Sequence, residues 1–290
     1  MNTRTISESC LAFTAAALTA LVLATPALAQ TRKIEKHFTV TDTPVVILQN
    51  PSGKVQVKSW DRHEVMVVAQ NTNDKTEIDM EQVANRIEIT TQAVGANSPS
   101  EDTRADLTVT VPTESALQVH TDSGNVSVDT VHGNMSFDTV AADLALQDVE
   151  GYLVTKTLNG SLICTRCAGE LDANSISGNI QLLQPAMDNV RVQTSSGNIL
   201  FDGSFASRGV YILKNYSGTI EVRFSAADSF DVSATSLYGH VMNQAPVVPD
   251  RHNMRPPRYA LSESLFGSVN DGHAKVELSS FSGTIKILKR

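Results

Sequence analysis

From Ser123 onward the chain alternates apolar and polar residues inside blocks of nine: SGNVSVDTV (123–131), HGNMSFDTV (132–140), AADLALQDV (141–149), EGYLVTKTL (150–158), NGSLICTRC (159–167) and AGELDANSI (168–176). Position 2 is usually glycine, and positions 4, 6 and 9 are mostly apolar. Apolar 4 and 6 between polar 3, 5 and 7 is the period-2 pattern of a half-buried strand. Glycine at position 2 suits a corner, where a Cβ would hinder the backbone. Two blocks make a coil of about 18 residues. The first-block glycines recur accordingly, at Gly124, Gly160, Gly178, Gly197, Gly218, Gly239 and Gly283, with Ala142 in the place between Gly124 and Gly160. One block cannot bury its apolar face alone, whereas stacked blocks can, with strands ~4.8 Å apart. Like then stacks on like, and Val126, Leu144, Leu162, Ile180, Ile199, Ile220 and Val241 are expected to form one wall of the core. A helical reading fails, because glycine, threonine, asparagine and β-branched residues dominate each block. The expectation is an all-β, parallel β-solenoid with coils of about 18–21 residues.

The pattern changes upstream. Residues 34–40, 45–48, 54–58, 64–69, 86–91 and 105–111 are short alternating segments separated by turn residues, and Asp79 to Asn85 reads as one helical turn or two. Ser52 to Trp60 already matches the nine-residue template. Residues 30–112 are therefore expected to form an N-terminal β-sheet cap, continuous with the solenoid of 113–290 or packed on its end. An uncapped first coil would expose an apolar cross-section and open strand edges. Residues 1–29 read as a signal peptide: Arg4, an apolar run from Leu11 to Ala24, and the small-residue site Ala27-Leu28-Ala29 before Gln30. The run falls short of the roughly 20 residues that span a bilayer, and no later segment is apolar enough to do so. The protein is thus expected to be exported, to the periplasm or the cell surface, with no transmembrane segment after cleavage.

Composition narrows the partners. The 290 residues are 41% hydrophobic but only 5% aromatic, which suits a core of valine, leucine and isoleucine. A net charge of −8 carries no basic footprint, so nucleic acid is not an expected partner. The runs SGKVQVKSWDRHEVMVVA (52–69) and ADLTVTVPTESALQVHTDSGNVSVDTV (105–131), followed by SGNI and SGTI repeats, resemble the DUF4097 family across nearly the whole chain after residue 29. The resemblance implies a parallel β-solenoid of the bacterial envelope with an adhesin-like role. It implies no reaction, ligand or catalytic residue.

Few residues could carry chemistry. Cys164 and Cys167, at block positions 6 and 9, read as buried core thiols, as a disulfide, or as a redox or metal site. A redox CxxC normally opens a helix, and zinc needs two further ligands that have no motif here. Calcium-filled nonapeptide turns need aspartate at position 6, which is mostly apolar (Val128, Phe137, Leu146, Cys164). No metal and no cofactor is expected. Outward residues are chiefly Asn125, Ser127, Asn134, Ser136, Ser161, Asn179, Gln181 and Asn198. Asp138 with Lys156 and Glu170 with Arg191 are expected as cross-strand charge pairs. A β-helical polysaccharide lyase or hydrolase would need acids converging on one face of adjacent coils. No such set is visible, so no catalytic residue is assigned. Residues 243–260 carry four prolines and must leave the ladder as a loop. Its Arg251, Arg255, Arg258 and Tyr259 form a candidate binding element for an envelope protein or glycan. Residues 273–281 and 282–290 resume the template and are expected to finish the stack.

Overall fold

The computed structural model describes residues 32–72, 76–94, 103–249 and 262–290. The expected signal peptide and the arginine-bearing part of the Pro-rich loop lie outside them. The described residues are all-β. The N-terminal strands are β1 Arg32–Thr39, β2 Val45–Gln49, β3 Ser52–Trp60, β4 Glu64–Thr72, β5 Thr76–Val83, β6 Arg86–Ala93 and β7 Asp106–Pro112. The repeats supply β8 Ala116–Asp129, β9 Met135–Gln147, β10 Glu150–Thr157, β11 Leu162–Thr165, β12 Ala168–Ser175, β13 Ile180–Leu183, β14 Ala186–Thr194 and β15 Ile199–Asp202. The C-terminal third adds β16 Val210–Asn215, β17 Thr219–Phe224, β18 Phe230–Ser236, β19 Val241–Asn243, β20 Val248–Pro249, β21 Glu263–Val269, β22 Ala274–Ser280 and β23 Thr284–Lys289.

Each coil contributes one strand to each of two walls, so the fold is a parallel β-solenoid. The first wall runs β5, β6, β2, β8, β9, β10, β12, β14, β16, β22, β18, β21, β20. The second runs β1, β4, β7, β3, β8, β9, β11, β13, β15, β17, β23, β19. The long strands β8 and β9 bend at the corner and serve both walls. Side chains from the two walls meet in one core, whose ladders are Val55, Val126, Leu144, Leu162, Ile180 and Ile199 on one side and Leu117, Met135, Leu153, Leu171 and Val190 on the other. Burying each such aliphatic chain contributes about 1.5–3 kcal/mol. At the N-terminal end lie three antiparallel pairs, β1–β4, β4–β7 and β5–β6. Their edge strands carry Lys33, Glu35 and His37 on β1, and Glu77 and Glu81 on β5. Charges there discourage edge-to-edge pairing.

Three expectations need correction. Asp79 to Asn85 is not helical: Thr76–Val83 is a strand in a hairpin with Arg86–Ala93, turned at Ala84 with φ 54°. Met80 is drawn into the core and Glu77 and Glu81 point out, so burial follows the strand period. Arg191 faces Asp172, not Glu170, because a bulge at Asp188 shifts the register and sets Glu170 beside Asn189. Lys156 does lie beside Asp138. Third, the last two blocks do not finish the stack. Strand β22 pairs with β16 on one side and β18 on the other, and β23 lies likewise between β17 and β19. The core ladder therefore reads Ile220, Ile285, Val241, with the chain's last coil inserted before the one that precedes it in sequence. The turn Asn270 to His273 makes this possible. It wraps the start of β18, with Asn270 Nδ2 donating to the Asp228 carbonyl (2.6 Å) and the His273 amide donating to Ser229 Oγ (3.1 Å).

Candidate binding surface

The two corners of each coil are built differently. At the corner after the second-wall strand, the residue at block position 8 is left-handed: Thr130, Asp148, Arg166 and Gln184 have φ between 51° and 57°. That twist turns the next residue inward, burying Val131, Val149 and Cys167. At the corner after the first-wall strand, position 8 stays extended and is itself the inward residue. It is Thr139, Thr157, Ser175 or Thr194, a small hydroxyl residue, and in the last three the oxygen accepts from the amide of the corner glycine three residues on: Gly160 (3.0 Å), Gly178 (2.8 Å) and Gly197 (3.2 Å). The following residue must then face solvent.

That outward position is apolar in coil after coil. Val140, Leu158, Ile176, Tyr216 and Phe281 occupy it, Tyr238 closes the series one residue further on, and all six are 37–57% exposed. Corner hydrogen bonds set the order: Ser177 N to Leu158 O (2.9 Å), Ser196 N to Ile176 O (2.9 Å), Ser217 N to Ser195 O (2.9 Å), Ser282 N to Tyr216 O (2.9 Å) and Tyr238 N to Phe281 O (2.8 Å). Phe281 stacks on Tyr216, centroids 4.4 Å apart and planes 8° apart, and meets Tyr238 edge-on at 5.0 Å. The result is an apolar ridge along one corner of the stack. Contiguous exposed apolar surface of this kind marks an interaction site.

Beside the ridge runs a ladder of amides. Asn179 Oδ1 accepts from the Asn198 amide (3.0 Å), and Asn198 Oδ1 accepts from the Thr219 amide (2.8 Å). A backbone N–H on each Oδ1 leaves each Nδ2 free to donate outward. Asp143 does the same for Ser161 at 2.9 Å. This ladder borders a shallow groove of about 540 Å³ lined by Asn125, Ser127, Ala145, Ile163, Asn179 and Gln181. Most of the polar residues that the sequence places outside are thus gathered on one face. The ridge itself escapes the nine-residue reading, which treats every position 9 as inward. Residue type gives no signal for it: position 9 follows threonine in SGNVSVDTV, where Val131 is buried, as in HGNMSFDTV, where Val140 is exposed.

A second groove, about 670 Å³, lies near the C-terminal end, lined by Val210, Ile212, Asp231, Ser233, Phe266 and Glu277. It holds two carboxylates, and each has a partner. Glu277 is paired with Lys214 at 2.8 Å, and Asp231 accepts from Ser268 Oγ at 2.6 Å. Both are exposed. Nearby, Glu263 accepts from the Val241 amide (2.7 Å) and pairs with His240 (3.0 Å), and these two contacts, the amide first, hold its carboxyl below the usual range.

Cys164 and Cys167 are fully buried and bonded to each other, S–S 1.98 Å. Cys164 stacks between Leu146 and Leu182 in the core ladder. Outside this bridge, Arg166 grips Asp148 of the preceding coil through two hydrogen bonds of 2.6 Å, which hold that carboxyl below its ordinary value. Arg251, Arg255, Arg258 and Tyr259 lie outside the described residues. Among the described residues no group of three metal-ligating side chains comes together, and no helix is long and apolar enough to cross a membrane.

A family model described as Toastrack DUF4097 matches residues 37–288. The chain belongs to the DUF4097 family. No curated protein matches this DUF4097 chain. Among solved structures it is similar to a putative adhesin from Bacteroides fragilis (12% identity over 89% of this chain and 97% of that chain, TM-score 0.41) and to a putative adhesin from Parabacteroides merdae (8%, 89% and 96%, TM-score 0.36). It is also similar to a putative cell adhesion protein from Clostridium sporogenes (11%, 90% and 100%, TM-score 0.28). At these identities and scores no ligand or partner carries over to the DUF4097 chain.

Proposed function

We propose that this protein is an exported, non-catalytic, adhesin-like binding or scaffold protein of the bacterial envelope, and that it acts through the ridged corner and the polar face beside it. The single observation that carries this reading is the ridge. Six exposed apolar side chains recur at one corner, where solubility alone would favour polar residues. Export rests on the segment from Arg4 to Ala29, and the short pair Cys164–Cys167 suits an oxidising compartment. The arginines and tyrosine of residues 243–260 are a further contact element, with an envelope protein or a glycan as the partner.

Immobilised protein is expected to retain an envelope component, identified by mass spectrometry or sugar analysis, that the triple variant Leu158→Ser, Ile176→Ser, Tyr216→Ala loses while keeping its melting temperature. Retention unchanged in that variant would remove the ridge from the function. Release of oligosaccharide from envelope polysaccharide, abolished in Asp231→Asn or Glu277→Gln, would replace the reading with an enzyme.

A further inference from the structure

One place on the ridge breaks the series. Between Ile176 and Tyr216 the position is held by Ser195, which is exposed and small. Phe281 covers one face of the Tyr216 ring, and the near-parallel planes follow the direction in which coils stack. The other face of Tyr216 therefore looks along the ridge across Ser195, which has no bulk to cover it. The result is a notch with an aromatic floor on one side and the Ile176 side chain on the other.

The corners that form the notch are polar and uncharged, while Glu221, Arg223 and Lys286, which share a groove with Asn198, stand on the wall beside it. The three corners that form it read SISGN (175–179), TSSGN (194–198) and NYSGT (215–219), without one acid or base. Ser177, Ser196 and Ser217 bring hydroxyls that donate to the Leu158, Ile176 and Ser195 carbonyls and keep acceptor capacity outward, and Asn179 and Asn198 bring amide groups whose oxygens are already engaged. A flat aromatic face ringed by neutral donors and acceptors is matched by a pyranose ring, which has a C–H face for the tyrosine and a girdle of hydroxyls for the amides. A peptide side chain would call for a pocket that closes around it, and an anionic ligand for a cation at the rim. Neither is present in these three corners. A β linkage keeps successive rings in one mean plane, so a glycan ring laid on the Tyr216 face carries its neighbours across the corner, within one level of the stack.

We propose that the Ser195 notch binds a neutral, β-linked pyranose glycan, with one ring stacked on Tyr216 and its hydroxyl edge toward Asn179 and Asn198. The proposal rests on the binding reading given above and names the partner for the same corner.

The test is isothermal titration of the purified protein with β-1,4-linked tetramers of glucose and of N-acetylglucosamine, with the α-linked glucose tetramer and a sulfated glycan as comparisons. A β-linked neutral tetramer is expected to bind, and the comparisons to bind at least about tenfold more weakly. Ser195→Leu fills the notch with the residue that the same corner already carries at Leu158, so it keeps the fold. It is expected to weaken binding at least about tenfold, as is Tyr216→Ala, whereas Tyr216→Phe keeps the aromatic face and stays within about threefold. Absence of binding to either β-linked tetramer, or unchanged affinity in Ser195→Leu, overturns the proposal. If no glycan binds but an envelope protein is retained and lost in the ridge variants, the glycan inference falls and the binding reading stands. If neither is retained, both fall.

Discussion

The coils from residue 135 to residue 202 and those from 203 to 290 obey the same strand rules and assemble differently. In the first region the order of coils in space is the order in sequence, and the ladders are aliphatic: Leu144, Leu162, Ile180, Ile199. In the second the last coil slides between two earlier ones, and aromatic residues gather. Phe205, Tyr211, Phe224 and Phe230 pack inside, meeting Phe201 of the coil before, while Tyr216, Phe281 and Tyr238 line up outside. The lesson is that a periodic pattern decides which residues share a level within a coil but leaves the order of coils open. That order depends on which free edge each late strand meets, a non-local matter. The aromatic end of the ridge exists only because of the insertion, since Phe281 comes from the last coil and stands between two tyrosines of earlier ones.

The contrast can be broken first at the corner glycines. A Cβ on Gly178 would lie 1.9 Å from the Gly160 carbonyl oxygen, a backbone atom fixed by the ladder. Gly178→Ala is expected to cost about 3 kcal/mol, read as a drop in the denaturant midpoint. Gly209→Ala, in the irregular region, meets the buried Tyr211 ring at 2.7 Å and the Ala206 carbonyl oxygen at 2.9 Å, both looser than the 1.9 Å clash at Gly178, and is expected to cost less. Equal losses would mean that the regular corners are no tighter than the rest.

Asn215 sharpens the contrast. It holds the ladder position that is serine or threonine in its neighbours, is buried, and has no hydrogen-bond partner for either amide atom among the described residues. A buried unpaired amide costs about 1–3 kcal/mol. Asn215→Thr restores the small hydroxyl found at Thr194 and is expected to stabilise by about 1 kcal/mol in thermal melts. A loss of stability there would show that the hydroxyl ladder, which resumes at Ser280 and Ser236, is interrupted at Asn215 for a reason of its own.

The smallest effect is a pH effect in the regular region. Asp148 is held below its ordinary value of 3.8, chiefly by its hydrogen bonds from Arg166. A carboxyl with a depressed folded-state value adds stability above the unfolded value and loses it as pH falls through the folded one. The melting-temperature difference between the native protein and Asp148→Asn is therefore expected to be constant near neutrality and to shrink below pH 3.8. The pair is exposed, so the difference is small throughout. A difference that grew in acid would refute the assignment.

Much of this architecture is written in the nine-residue pattern. Positions 4 and 6 point inward in every regular coil, and Ser52 to Trp60 joins the ladder of β8 in register, Val55 on Val126. What stayed hidden has physical causes. The outward ridge depends on whether position 8 is left-handed or extended. Thr130 and Thr139 are the same residue type in opposite corners, so residue type alone does not decide it. The partner of Arg191 depends on a one-residue bulge, and the place of Ile285 on an edge offered by β17. Of the candidate site, the outward asparagines and serines were legible, and the aromatic ridge was not.

The insertion of the final coil is the claim from which the aromatic ridge follows, and amide hydrogen exchange tests it most directly. Thr284 to Lys289 pair with strands on one or both sides despite lying at the end of the sequence. Their amides are expected to exchange as slowly as those of Ile180–Leu183, while Val241–Asn243, paired on one side only, exchange faster. Rapid exchange across Thr284 to Lys289, with protection at Val241–Asn243, would place the last coil at the open end and contradict the account.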